Sequence, residues 1–443
     1  MKLIQVCLLC GLISHSLAQE NTQPIVPLTE VLKQTDDILT DWYPRIIDEQ
    51  GGFTTNLDYQ WKPGDDTTKM IVTQARGVWT AARGFEYNTN SVLLEAAEHG
   101  YNYLIQEMWD PLHGGFLQYN IDAHPDSMRT KMAYGTAFGI YALAQFAKVN
   151  PGRRDILEWC KRSLDWLDNA ARDPQRGGYY NLITRDGESA NIDKFNPEKL
   201  TANSWGRYDW KDQNSSIHLL EAFTTLYAVT YSDQARDRLE EMLILVRDLM
   251  VNPGGYLHLY FEKDWTPIVN RAQGRDYVLD NLRHDHVSFG HDIETAYLLV
   301  DAAEKLYGKC DDKTLMVAKQ LVDHTLDHGF DTDYYGILDK GYYFSIDGEI
   351  EVVDRNKVWW SQAEAWHTLV LFSGIFPEEP RYKTAAQAMW KYIQEQMIDH
   401  KRGGWYNAGL DVDPANEFKD KAHQWKSCYH DGRALMQVMG YYR

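Results

Sequence analysis

The sequence predicts an all-α fold, an (α/α)6 barrel of twelve helices with short strands or turns at one rim. Three observations in the 443-residue chain predict it. A glycine-aromatic segment recurs six times, two helical patterns accompany each recurrence, and the patterns alternate between charged and almost wholly apolar. Length alone favours two or three domains, but a closed helical barrel can hold such a chain as one unit.

The recurring segments place glycine beside aromatic residues at a spacing of about 60 to 80 residues, which is too long for the common short solenoid repeats. Glycine supplies backbone angles that other residues avoid, so these segments are expected to be turns or short strands at one rim. They are QGGFTTN at 50, HGGFLQYN at 113, RGGYYN at 176, PGGYLHLYF at 253, YYGILDKGYYF at 334 and RGGWYN at 402.

Twelve helical patterns are read as six hairpins. The first helix of each pair is the more charged, as in ARDRLEEMLILVRDLM, and the second is apolar nearly all round, as in AYGTAFGIYALAQFA. A helix that is apolar on all faces is buried on all faces, so six inner helices are expected within a ring of six outer ones. The pairs are 31–49 with 67–86, 91–109 with 131–149, 153–171 with 213–231, 233–250 with 287–307, 311–328 with 357–374, and 380–398 with 425–441.

The composition limits the partners. A formal net charge of −19 argues against nucleic acid and anionic membranes, both of which need basic patches. Aromatic residues make up 13% of the chain, with 15 Trp and 28 Tyr. This enrichment is typical of clefts that stack sugar rings and also of a large core. We expect a monomer that binds a small sugar, with no nucleic acid partner and no membrane-spanning segment.

The N-terminus, MKLIQVCLLCGLISHSLAQE, has the pattern of a secretory signal peptide, with one Lys, a short apolar run and a small-residue end. Residues 1–19 are therefore predicted to be removed, leaving 20–443 as one catalytic domain that is secreted or periplasmic. A lipid anchor on Cys7 or Cys10 is the less favoured alternative. The three remaining cysteines, Cys160, Cys310 and Cys428, give neither a disulfide framework nor a paired metal motif.

Residues 185–212 form a long polar stretch that carries Trp205, Tyr208 and Trp210. A lid over a cleft and a plain surface insertion explain this stretch equally well.

Polar side chains occur near the start of every predicted inner helix. Because inner helices of such a barrel run parallel, these ends should converge on one mouth, where the helix N-termini favour an anion or enolate. The residues are Arg76, Tyr134, Asn214, His218, His291, Glu294, Trp360, Glu364, Trp425 and His430.

Each of these residues also has an ordinary structural interpretation. His291 and Glu294 are three residues apart and can form a simple helix salt link, and Arg76 and Glu364 can form a buried ion pair. The coincidence of His218, His291 and His430 at matching depth on three inner helices favours function, because each buried imidazole must find its own partner. HExxH, GxSxG, a P-loop and GxGxxG after a strand are absent, so we expect neither a metal nor another cofactor.

Six stretches resemble the N-acylglucosamine 2-epimerase superfamily, and most closely its cellobiose 2-epimerase (mannobiose 2-epimerase) branch. They are RGVW, AYGTAFGIYALA, NSSIHLLEAFTTLY, SFGHDIETAYLL, KVWWSQAEAW and WKSCYHDGR, spread over residues 30 to 443. The resemblance implies cofactor-free epimerisation at C2 of the reducing-end sugar of a β-1,4-linked disaccharide. In this respect GHDIE and WWSQAEA are the more specific motifs.

The resemblance also implies roles for the mouth residues. His291 and His430 correspond to the two general acid/base residues, and His218 to the one that aids ring opening. The implied substrate-binding residues are Arg76, Tyr134, Asn214, Glu294, Trp360, Glu364 and Trp425. The sequence departs from the family pattern at Asp431, where Asn is common, at Ser427-Cys428, where a proline-containing dipeptide is usual, and in its secretory signal.

The same chemistry follows from the residue types. Inversion next to a carbonyl needs a base on one face and an acid on the other, and histidine titrates near working pH. Three alternatives stay open at this point. They are an aldose–ketose isomerase acting on mannose or a related monosaccharide, a glycoside or unsaturated-uronide hydrolase on the same barrel, and a carbohydrate-binding protein without activity.

Overall fold

The computed structural model describes residues 24–120, 130–190, 206–346 and 348–442. The predicted signal peptide and Trp205 lie outside the described residues. Twelve long helices and one short helix occur in the described part of the chain: α1 Leu28–Trp42, α2 Ile71–Asn88, α3 Ser91–Tyr103, α4 Ala133–Val149, α5 Arg154–Ala170, α6 Gln213–Thr230, α7 Asp233–Leu245, α8 Arg275–Asp280, α9 Phe289–Tyr307, α10 Asp312–His328, α11 Trp359–Ile375, α12 Pro380–Tyr392 and α13 Tyr429–Tyr441.

Six of these helices close into an inner ring. α2 packs on α4, α4 on α6, α6 on α9, α9 on α11, α11 on α13, and α13 returns to α2. The outer helices α3, α5, α7, α10 and α12 each pack on the inner helix that precedes them, and α1 packs on α13. This arrangement confirms the predicted (α/α)6 barrel. It also corrects the hairpins, because each inner helix pairs by a short loop with the outer helix that follows it.

The amphipathic pattern explains which helices are inside. In α4 every residue from Ala133 to Ala147 is buried, whereas α5 buries only one face, which includes Ile156, Cys160, Leu164 and Leu167. Burying a leucine-sized side chain contributes about 1.5–3 kcal/mol, so an exposed position for α4 would be strongly unfavourable. Among the described residues, no helix has both the length and the apolar character needed to cross a membrane.

The glycine-aromatic segments form six equivalent rim turns. A single antiparallel bridge closes each turn, as between Ile47 and Phe53 or Trp109 and Phe116. Gly114 and Gly115 have φ of 68° and 75°, and a Cβ on Gly115 would lie 2.4 Å from the Trp166 ring. Left-handed backbone and close ring packing therefore explain why glycine recurs here.

A buried lysine fastens most of these turns. Lys131 pairs with Asp110 at 3.0 Å and Lys211 with Asp173 at 2.9 Å, and each ammonium also donates to a carbonyl of the turn's first glycine. Hydrogen bonds on both charges offset the cost of burying them. The same pairing joins Lys69 to Asp48, Lys357 to Asp331 and Lys421 to Asp399.

The fourth turn lacks this pair of charges. Asn252 stands at the aspartate position, and Val287, two residues before α9, stands where Lys131 and Lys211 precede α4 and α6. Loss of both charges together leaves no uncompensated ion, so the turn keeps its geometry.

Short strands lie at the same rim. β1 Thr130–Met132 pairs with β2 Leu182–Thr184, and β3 Lys211–Asp212 with β4 Tyr260–Phe261, both antiparallel. β5 Val287–Ser288, β6 Lys340–Tyr342 and β7 Glu351–Asp354 form an antiparallel sheet in the order β5-β6-β7. The outer helices α3, α7 and α12 end in single π-turns at Leu104–Met108, Val246–Met250 and Ile393–Met397.

The last inner helix begins later than predicted. Residues 425–441 were expected to be helical, but α13 begins at Tyr429. The buried ammonium of Lys426 donates to the carbonyl oxygens of Trp405 at 2.6 Å and Lys421 at 3.0 Å, which fixes this stretch in the rim. Trp425 therefore lies in the rim segment before the helix.

Candidate active site

The mouth residues predicted from the sequence lie at the same end of the barrel, because each inner helix starts at the rim. The residues, each with the element that holds it, are Arg76 on α2, Tyr134 on α4, Asn214 and His218 on α6, His291 and Glu294 on α9, Trp360 and Glu364 on α11, Trp425 in the rim segment before α13, and His430 on α13. Nearly all are linked by direct contacts, and a residue without a predicted role lies at the centre of these contacts.

That residue is Arg433, which is fully buried. Its guanidinium contacts three carboxylates from three other inner helices: Glu221, Glu294, and Glu364, the last at 2.7 Å. It also donates to the Tyr429 hydroxyl at 2.6 Å. Removing one partner from a buried ion network leaves uncompensated charge and typically costs 3–5 kcal/mol, so these four side chains stabilise one another.

Glu364 connects this cluster to His430. Nδ1 of His430 lies 2.6 Å from Oε1 of Glu364, and Nε2 of His367 lies 2.8 Å from Oε2 of the same carboxylate. Burial opposes ionisation of Glu364, but Arg433 and the two histidine hydrogen bonds outweigh it and hold the pKa of this carboxyl well below its usual range. An ionised carboxylate only accepts, so His430 donates from Nδ1 and keeps the lone pair on Nε2.

His218 is held in the same way. Its Nδ1 lies 3.0 Å from Oε2 of Glu221, and the Tyr429 hydroxyl donates to Oε1 of the same carboxylate at 2.7 Å. Burial works against the charge on Glu221, yet Arg433 and His218 lower the pKa of Glu221 to about 2. His218 also packs on the Tyr134 and Phe138 rings, with centroids 5.3 and 4.7 Å away.

His291 has a different partner. Its Nδ1 lies 2.9 Å from the Ser288 hydroxyl, and its ring lies 4.7 Å from Trp360. Trp360 is also 5.9 Å from His430, so one indole contacts both imidazoles. Burial is the main cause that lowers the pKa of His291 and of His430 to about 3, which keeps both rings neutral at pH 7.

Arg76 lies beside this group. It donates to the Tyr134 hydroxyl and to the Trp425 carbonyl oxygen, each at 3.2 Å, and its guanidinium lies 4.4 Å from the Phe138 ring centroid. The Tyr134 and Trp425 rings are 6.4 Å apart. A cation, a phenol and an indole thus lie on the side of the mouth next to His218.

Two further predicted residues keep unused polar atoms. Glu294 binds Arg433 through Oε1, while its buried Oε2 has no hydrogen-bond partner in the described part of the chain. Burial and the nearby Glu364 raise the pKa of Glu294 to about 8, which favours the protonated form of this carboxyl at pH 7. Asn214, one turn before His218, also has a buried side-chain oxygen without such a partner.

Two of the ordinary structural alternatives are wrong. Among the described residues, Arg76 does not pair with Glu364, because Arg433 takes that carboxylate. Nor does His291 pair with Glu294, since the former contacts Ser288 and the latter Arg433.

Glu294, Glu364 and His430 offer ligand atoms that all lie within 4.8 Å of one another, a spacing that could hold a metal ion. However, the Arg433 guanidinium already binds both carboxylates, and a divalent cation there would face that fixed positive charge. These three residues therefore suit the guanidinium of Arg433 better than a metal ion.

Sequence reasoning missed Glu221, Ser288 and His367. A signal for two of them existed, because His218 with Glu221 and Glu364 with His367 repeat the three-residue spacing already noted for His291 and Glu294. The sequence alone gives Arg433 no role, since nothing along one helix shows which carboxylates approach from the others.

Known proteins resemble the chain along most of its length. The sequence profile of the family described as N-acylglucosamine 2-epimerase (GlcNAc 2-epimerase) matches residues 51–434. The cellobiose 2-epimerase of Dictyoglomus turgidum is 23% identical over 422 residues, covering 93% of this chain and 97% of the relative. The D-mannose isomerase of Marinomonas mediterranea is 23% identical over 404 residues, covering 90% of this chain and 93% of the relative.

A solved structure of a cellobiose 2-epimerase also resembles this chain. The cellobiose 2-epimerase from Spirochaeta thermophila superposes with a TM-score of 0.76 at 30% sequence identity, covering 93% of this chain and 95% of that one.

Proposed function

Because the chain belongs to the N-acylglucosamine 2-epimerase family and is an isomerase, we propose that it inverts C2 of the reducing-end sugar of a β-1,4-linked disaccharide such as cellobiose or mannobiose. The single observation that carries this proposal is the position of His291 and His430. Both contact the Trp360 ring, both are neutral, and they are supplied by two different inner helices.

The first half of the reaction requires a base. Once the sugar ring opens, the C1 carbonyl makes the C2 proton acidic. In one direction His430 accepts that proton at Nε2. The electrons of the C2–H bond form a C1–C2 double bond, and the carbonyl oxygen takes the negative charge of the resulting enediolate. Glu364 stabilises the resulting imidazolium through its 2.6 Å hydrogen bond to Nδ1.

The second half requires an acid on the other face. As negative charge develops on the enediolate, His291 takes up a proton from water, and its imidazolium re-forms the C2–H bond while the electrons return to the carbonyl. The sugar leaves with inverted C2 and an unchanged formula, and His430 returns its proton to water, so both imidazoles are neutral again. The reverse reaction uses the same residues with their roles exchanged, because an imidazole can accept a proton and its imidazolium can donate one.

The intermediate oxygens need donors. Arg76 and the protonated Glu294 are the donors we assign to them, with the N-termini of the inner helices adding partial positive charge. His218 donates from Nδ1 to Glu221 and keeps the lone pair on Nε2, so we assign it to accepting a hydroxyl proton when the sugar ring opens. Raising the pKa of Glu294 serves this purpose, because only a protonated carboxyl can donate from Oε2. We assign Trp360 and Trp425 to stacking on the sugar rings, and Asn214 and Tyr134 to hydroxyl contacts.

We also propose that residues 1–19 are a signal peptide and that 20–443 act as one domain outside the cytoplasm. Mass spectrometry of the mature N-terminus from fractionated cells tests this. A start at about residue 19 or 20 supports it, and an intact N-terminus in the cytoplasm overturns it.

Proton NMR of cellobiose and of mannobiose with the protein in D2O tests the reaction. Loss of the H2 signal with growth of the C2 epimer, deuterated at C2, is expected. His291→Ala and His430→Ala should each abolish it while the far-UV circular dichroism stays unchanged. His400→Ala, at an exposed rim histidine, is the matched control. Absence of exchange on both sugars overturns the proposal.

An aldose–ketose isomerase is the second candidate, and the likeness to a D-mannose isomerase favours it. That reaction returns the proton to C1 and needs only one base. The same NMR experiment with mannose separates the two, because ketose signals would then dominate over a C2 epimer. Release of monosaccharides from the disaccharides would instead identify a hydrolase.

A further inference from the structure

A cleft lies beside the candidate active site, at the seam where the barrel closes. Its walls are the rim segments of the first and sixth turns, which are joined by the antiparallel bridge between Leu57 and Ala422. The cleft has a volume of about 670 Å³. Asn56, Asp66, Asn407 and Asp420 line it, together with Phe418 and Trp425.

Trp425 belongs to both the cleft and the active site. Its backbone N–H donates to His423 Nδ1 at 3.2 Å, and His423 Nε2 lies 3.1 Å from the side-chain oxygen of Asn407, so the cleft wall fixes this segment. Its carbonyl oxygen accepts from Arg76 on the active-site side. The cleft is therefore continuous with the place where the proposed function stacks a sugar ring on Trp425, and we take that ring to be the second one, because Trp360 contacts the two proposed acid/base histidines.

The lining has the chemistry of a sugar subsite. Amides and carboxylates offer hydrogen bonds to hydroxyl groups, and Lys419 balances part of the acidic charge, which favours a neutral ligand. Phe418, at the end of the short 3-10 helix Pro414–Phe418, is 58% exposed. Its ring packs edge-on against Tyr59, with centroids 5.5 Å apart, and the Arg402 guanidinium lies 5.9 Å from it.

Phe418 lines the polar cleft with an exposed ring that Tyr59 supports from one edge, and such a ring offers a flat apolar face on which a sugar ring can stack. We propose that this cleft binds a third sugar ring of a β-1,4-linked chain, with Phe418 as its stacking platform. The inference rests on the proposed function, since it extends the same substrate from its second ring. It makes the preferred substrate an oligosaccharide of three or more units.

Binding is measured by calorimetry with the full protein and borohydride-reduced sugars, which lack the carbonyl and are not turned over. The pairs are cellobiitol with cellotriitol, and mannobiitol with mannotriitol. In the series that binds, the longer sugar should bind roughly fivefold tighter, and Phe418→Ala should remove most of that gain. Tyr334→Ala, at a 70% exposed tyrosine in the fifth rim turn, is the matched control and should keep it.

The outcomes separate this inference from the proposed function. Equal affinity for two and three units, or a gain that survives Phe418→Ala, overturns the third subsite even if disaccharides are epimerised. A gain that depends on Phe418 supports the subsite even if no epimer forms. No binding by any of the four sugars overturns the third subsite, while the exchange experiment in D2O decides the proposed function by itself.

Discussion

The two histidines that contact Trp360 have unlike surroundings. His430 donates from Nδ1 to Glu364, an ionised carboxylate held by Arg433, whereas the hydrogen-bond partner of His291 among the described residues is the Ser288 hydroxyl at 2.9 Å. A carboxylate fixes one tautomer and supports an imidazolium, while a hydroxyl can donate or accept and fixes neither. Two imidazoles with similarly lowered pKa values are thus two different acid/base groups, one supported by a charged partner and one adaptable.

The largest effect is expected from removing Arg433, which holds the three buried carboxylates together. Arg433→Met would leave Glu221, Glu294 and Glu364 buried without their shared cation. We expect a loss of about 3–5 kcal/mol in the free energy of unfolding, together with loss of turnover. Urea unfolding followed by tryptophan fluorescence measures the first. Arg236→Met, at an arginine on the surface of α7, is the control, and an equal midpoint for both variants would contradict the network.

The barrel could be predicted because its signal is local and repeated. All-round apolar helices such as α4 must be buried, and glycine pairs mark turns wherever they occur. The centre of the site could not be predicted, because Arg433 on α13 contacts carboxylates from α6, α9 and α11. Such contacts depend on the packing of helices that are distant in sequence, and one sequence does not encode them as a pattern.

The start of the last helix was missed for a related reason. The pattern around Trp425 is compatible with a helix, and local propensity alone does not end it. The bonds from Lys426 to two carbonyl oxygens in the rim decide the conformation, and both acceptors belong to a segment up to 21 residues away. Tertiary hydrogen bonds overrode the local preference.

The second-largest effect concerns the charge of Glu364 alone. Glu364→Gln keeps an acceptor for His430 Nδ1 but removes the negative charge that supports the imidazolium. We expect kcat for C2 exchange to fall by about 10²–10⁴. Integration of the H2 signal over time in D2O measures it. A fall of less than about fivefold would mean that the carboxylate only positions the ring.

A smaller effect on kcat is expected from the partner of His291. Ser288→Ala removes one neutral hydrogen bond from His291, worth about 1 kcal/mol, so kcat should fall about fivefold. Ser288→Thr keeps the hydroxyl and should restore most of the rate. Should Ser288→Ala cost as much as Glu364→Gln, the contrast between the two histidines would be broken.

The smallest difference between His291 and His430 is predicted in the dependence of stability on pH, where the two histidines should behave alike. Burial lowers the pKa of both His291 and His430 from 6.5 to about 3, so the unfolded chain binds these protons more readily. Each ring therefore contributes stability that is present above about pH 6.5 and is lost as the pH falls towards 3. Between pH 7 and pH 5.5 the loss should be about 1 kcal/mol per histidine. His291→Asn and His430→Asn should flatten the urea-unfolding profile over that range by equal amounts. A much smaller flattening in His430→Asn would show that Glu364, which raises the pKa of His430, outweighs burial in the titration of this histidine.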